Sequence, residues 1–120
     1  MSSAAFPSRK VEELSPYEIS EIMESEPEST LIIDVREPWE FYGDMGHVRG
    51  SLLMPMSEIP DNLEKLKSSK DKKIILMCNS GERSYYTARY LMDNSVSNVF
   101  NADGGIIKWH MAGLDVEFGE

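Results

Sequence analysis

The 120-residue chain is poor in several things, and each shortage excludes a class of protein. It has one cysteine, Cys78, so no disulfide can form within it, and the thiol is left for chemistry in a reducing setting. Cations are scarce. Twelve Lys and Arg face 21 Asp and Glu, and the resulting formal charge of -9 argues against non-specific binding to nucleic acid or to an anionic membrane. No apolar run approaches the roughly 20 residues that cross a bilayer, and residues 1–9 hold no apolar stretch of the secretory kind, so the expected compartment is cytoplasmic. Neither a Cys, His and Asp cluster at metal-ligand spacing nor a nucleotide-type glycine loop occurs, so neither metal nor cofactor is expected. What remains is ordinary: 41% hydrophobic and 28% charged residues suit one globular domain over residues 10–120, after a loose Ser- and Ala-containing tail at 1–9.

The sole cysteine sits where chemistry is common. It ends the apolar run Ile74-Ile75-Leu76-Met77 and opens the polar loop Asn79-Ser80-Gly81-Glu82-Arg83-Ser84, behind which a helical pattern begins. Backbone N–H groups of such a loop, together with the first turn of the helix, turn partial positive charge toward the sulfur. Arg83 adds a full charge. Both favour the thiolate, the form that attacks. A lone cysteine is often a small buried hydrophobe, but packing alone does not require so polar a loop.

The surrounding pattern alternates strands and helices. Residues 11–14 read as a short extended segment, and Ser15-Pro16-Tyr17-Glu18 as a capping box that opens a helix to about Ser25. The runs 31–35 and 74–77 are short enough to be buried parallel strands. A small strand is expected at 51–54 and a last one at 96–100, with helices at about 58–66, at 85–94 capped by Ser84, and after Gly104-Gly105. This gives an α/β fold, an open parallel sheet of about five strands with helices on both faces. Ligands of such sheets sit beyond the carboxyl ends of the strands, where Asp34, Arg36 and Cys78 all fall.

Four segments then carry a resemblance: Asp34-Val35-Arg36-Glu37-Pro38; Gly46-His47-Val48-Arg49-Gly50-Ser51; the Cys78 loop; and Gly104-Gly105-Ile106-Ile107-Lys108-Trp109 with Ala112-Gly113-Leu114. Each alone is weak, but in this order over residues 31–116 the chain resembles the single-domain rhodaneses, the thiosulfate-type sulfurtransferases. It departs at Arg49 and Asp115, where the family often has proline. The resemblance implies two steps. Cys78 takes the outer sulfur of a small anionic donor such as thiosulfate as a persulfide, then passes it to a thiol, cyanide or a protein acceptor.

On this reading Gly81 adopts a positive φ that closes the ring, and Asn79, Ser80, Glu82 and Ser84 supply N–H groups. Arg83 would anchor the donor's sulfonate, the alternative being a salt bridge to Glu82 or another acid. Asp34 and Arg36 would lie near the pocket, either touching substrate or pinning loops. His47 is expected as a turn residue bonded to backbone, and His110 at the surface. Phosphatases and arsenate reductases on a related scaffold carry five residues between Cys and Arg, against four here. A sulfur carrier fed by another protein is the remaining alternative.

Overall fold

The computed structural model describes residues 10–119, so the tail expected at 1–9 lies outside the described residues. Five strands, β1 (Glu12–Leu14), β2 (Thr30–Asp34), β3 (Leu52–Leu53), β4 (Lys73–Met77) and β5 (Val99–Ala102), form one sheet in the order β1-β5-β4-β2-β3 with every pairing parallel. The helices are α1 (Pro16–Ser25), α2 (Pro38–Phe41), α3 (Leu63–Lys67), α4 (Glu82–Asp93) and α5 (Gly105–Met111). The α/β architecture is as the pattern predicts. None of these helices is long and apolar enough to cross a membrane.

Alternation along β2 and β4 explains why both faces are covered. Ile33, Ile74, Leu76 and Cys78 belong to one core cluster with Leu66, Ala88 and Leu91, while Ile32, Ile75 and Met77 belong to a second with Ile19, Ile106 and Trp109. A strand whose two faces are both buried must be apolar throughout, and β4 is, once past Lys73. The capping box at α1 forms as predicted: Glu18 N–H donates to Ser15 Oγ (3.1 Å) and Ser15 N–H to Glu18 Oε1 (2.8 Å).

Three expectations need correction. The helix expected at 58–66 is instead two 3-10 turns, Met56–Glu58 and Pro60–Asn62, followed by the short α3. Pro60 is the reason, since its ring clashes with the carbonyl four residues back and it has no N–H to give. The last strand begins at Val99 rather than at 96, because Ser95, at φ 70°, turns the chain first. Finally, α4 starts at Glu82 with Gly81 as its N-cap, so Ser84 lies inside the first turn and does not cap it.

Candidate active site

The site is assembled by register. Asp34 pairs with Met77 across β2 and β4, and Val35 N–H donates to Met77 O (2.9 Å), so the segments leaving the two strands emerge side by side. Cys78 follows one strand and Arg36 the other. Gly81 has φ 99°, as expected of the residue that closes the ring, and this turn swings the chain back over the sulfur. Cys78 is 1% exposed, and its Sγ accepts from the Gly81 N–H (3.1 Å) and the Ser84 N–H (3.4 Å). Ser84 is the third residue of α4, so the sulfur stands where a capping oxygen would normally take that amide. The helix therefore needs no side-chain cap of its own, and the thiol faces its positive end.

Behind the sulfur lies a chain of polar groups that sequence reasoning missed. The Asn101 side-chain N–H donates to the Glu13 carboxylate (3.0 Å) and to Gly81 O (3.0 Å), both pure acceptors, which fixes its Oδ1 as an acceptor. Ser84 Oγ lies within hydrogen-bond distance of both that Oδ1 and Cys78 Sγ (3.3 Å). One hydroxyl carries one proton. With the proton on Asn101, an Oγ lone pair meets a thiol S–H; turned toward a thiolate, the hydroxyl gives up Asn101. No local signal could have found this network, because β5 and β1 bring Asn101 and Glu13 in from distant parts of the chain.

Arg83 forks onto Glu40, Nη1 to Oε1 and Nη2 to Oε2, each at 2.8 Å. The salt-bridge alternative is thus realised in this structure, with Glu40 as the partner in place of Glu82. Those hydrogen bonds hold the Glu40 carboxyl at about 2, and in return raise the Arg83 guanidinium above its ordinary value. Glu40 Oε1 also accepts the Glu37 N–H (3.0 Å), which fixes the carboxylate on the turn of α2. The spacing Glu37-Pro38-Trp39-Glu40, in which the fourth residue reaches back to the first, was the available signal.

Asp34 and Arg36 are buried together at 0% and 1% exposure. Arg36 Nε donates to Asp34 Oδ1 (2.9 Å), while Nη2 donates to Oδ2 (2.9 Å) and to Gly46 O (2.8 Å). The pair pins the loop after α2, and Arg36 reaches the floor of an open cleft with Trp39, Glu40, Asp44, Met45 and Asn79. Ser80, Gly81 and Glu82 border a second recess with Glu13 and Asp103. His47 is the backbone-bonded turn residue expected: its Nδ1 donates to Phe41 O (2.9 Å) and its ring stacks on Phe41. His110 is only partly exposed, its Nε2 2.6 Å from Met45 O. Arg49 pairs with Glu117 (3.1 Å), and the Asp115 carbonyl accepts from Trp109 Nε1 (2.9 Å), so neither departure from the family touches the loop.

The model of the rhodanese-like domain matches residues 15–112, which include Asp34, Arg36, Glu40 and the Cys78 loop. The chain belongs to the rhodanese-like family. A protein of Allochromatium vinosum named sulfurtransferase is 35% identical over 92 residues, covering 77% of this chain and 82% of that protein. A tRNA uridine(34) hydroxylase of Photorhabdus laumondii is 28% identical over 93% of this chain, which spans only 33% of that longer protein. The crystal structure of a rhodanese-like domain protein from Staphylococcus aureus superposes with a TM-score of 0.73 at 29% identity, covering 89% of this chain and 99% of the other. Among the described residues, no group of His, Cys, Asp and Glu could hold a metal ion.

Proposed function

We propose that this rhodanese is a sulfurtransferase in which Cys78 takes sulfane sulfur from a donor as a persulfide and passes it to a thiophilic acceptor, whether a thiol, cyanide or a protein. The observation that carries the reading is the position of Sγ at the start of α4, accepting the backbone N–H groups of Gly81, within the loop, and of Ser84, in the first turn of the helix. Such donors favour an anionic sulfur over a neutral thiol at every stage where charge rests there: the attacking thiolate, the departing thiolate and the persulfide. Four residues between Cys78 and Arg83 make a ring tighter than the five of the related phosphatases, suited to one sulfur atom more than to a tetrahedral phosphate. Chemistry on tRNA, as named for the longer relative, is disfavoured by the charge of -9, which repels a polyanionic backbone.

Intact-mass analysis tests the proposal. Incubation with thiosulfate or with an organic persulfide should add the mass of one sulfur atom, removable by cyanide or dithiothreitol, and Cys78→Ser should acquire none. Sulfur retained by Cys78→Ser would end the reading.

A further inference from the structure

Asn79, the residue after Cys78, lines the open cleft beside Arg36 and Glu40, and the two arginines at this end of the sheet are both already engaged. Arg36 is forked on Asp34, and Arg83 has each of its terminal nitrogens on a Glu40 oxygen at 2.8 Å. The open cleft is thus lined by one guanidinium, Arg36, and two carboxylates, Glu40 and Asp44, while Asp34 and Arg83 stand behind them, each tied up in its ion pair. The balance is negative. A dianionic oxoanion such as thiosulfate has to displace Glu40 from Arg83 and then remain beside the carboxylate it displaced, whereas a donor with an uncharged or cationic body meets no such opposition. The other surfaces also suit an organic body, since Trp39 is 75% exposed at the rim and Met45 lines the same cleft.

We propose that the preferred sulfur donor is a persulfide carried on an uncharged or cationic thiol, and that Glu40, by occupying Arg83, is the residue that selects against sulfur oxoanions. This rests on the sulfurtransferase reading above and narrows its substrate class. The Cys78 thiolate attacks the outer sulfur of R–S–S–H, the donor S–S bond breaks, and R–S⁻ departs and takes the proton from the new Cys78–S–S–H. The products are the thiol R–S–H and the Cys78–S–S⁻ anion, with the sulfane sulfur moved and no external oxidant or reductant consumed.

The test is a charge series of donors read by kcat/KM for sulfur loading: thiosulfate, the persulfide of N-acetylcysteine methyl ester, and the persulfide of cysteamine. Wild type should rank the cationic body first and thiosulfate last. In Glu40→Gln the ratio of thiosulfate to the neutral-bodied persulfide should rise about tenfold, the effect of one unit charge at short range in a half-solvated site, while the ratio of cationic to neutral donor should fall. These ratios are independent of the fraction of protein folded. Asp44→Asn, on the same cleft but outside the fork, should move both ratios in the same directions by less, and it decides the matter should Glu40→Gln not fold. A wild type that prefers thiosulfate, or variants that leave the ratios unmoved, overturns the donor assignment and leaves sulfur transfer standing. Failure of Cys78 to load from any of the three would instead strike the sulfurtransferase reading itself.

Discussion

Arg36 and Arg83 make the same two-pronged contact with a carboxylate at the same end of the sheet, but their surroundings differ. The side chains of Arg36 and Asp34 are 1% and 0% exposed, while those of Arg83 and Glu40 are 38% and 15% exposed. In the first fork neither charge has water to turn to, so parting them would strand a bare charge in the core. In the second, solvent receives the guanidinium as the contact opens. The same pair of groups is thus a structural pin in one place and an exchangeable contact in the other, and burial makes the difference.

The largest effect expected from this contrast is on stability. Arg36→Ala leaves Asp34 buried without its partner, and should cost about 3–5 kcal/mol in urea unfolding. If it costs no more than Arg83→Ala, the contrast between the forks is wrong. Ser84→Ala supplies an intermediate step on the same scale, because it strips a buried neutral acceptor, Asn101 Oδ1, of its donor; about 1–3 kcal/mol is expected. Arg83→Ala and Glu40→Gln should each cost below about 1 kcal/mol, with their main effect on donor choice. A larger loss would make the outer fork a pin like the inner one.

The smallest effect is the pH dependence of that outer fork. Glu40 titrates at about 2 when folded, against 4.5 for an ordinary glutamate, chiefly through the hydrogen bonds from Arg83. A lowered folded value means that the contribution is present above the unfolded value and is lost as pH falls through the folded one. The stability difference between wild type and Glu40→Gln at pH 6 should therefore fade between pH 4.5 and 2. A difference that stays constant over that window would assign it to packing.

Much of this site was legible because its signals are local. The strand-loop-helix around Cys78, the positive φ of Gly81 and the capping box of Ser15 and Glu18 are each settled by a few neighbouring residues. Pro60 falls inside the helix expected at 58–66 and was a legible break in it. Ser84 misled for a different reason: a serine before a helical run resembles an N-cap, but here the thiol sulfur accepts the amide that such a cap would take. The partners of Arg83 and Ser84 were not readable, since Glu40 lies 43 residues from the one and Asn101 17 from the other, and only sheet topology brings them together.

The Gly104-Gly105 turn has a bearing on how reactivity would be lost. Ile106 N–H donates to Cys78 O (2.9 Å) and Ile107 N–H to Asn79 O (3.1 Å), and a side chain at Gly105 would fall on those same two carbonyls. A peptide unit is rigid, so holding these two oxygens toward α5 aims the N–H groups of Asn79 and Ser80 the opposite way. The aim of the loop's dipoles is therefore maintained by a helix far along the chain that supplies no reacting atom. Fraying or proteolysis of that C-terminal helix would register as a fading thiol reactivity while β2 and β4 still held together, making the alkylation rate of Cys78 a sensor of how firmly the end of the chain is docked.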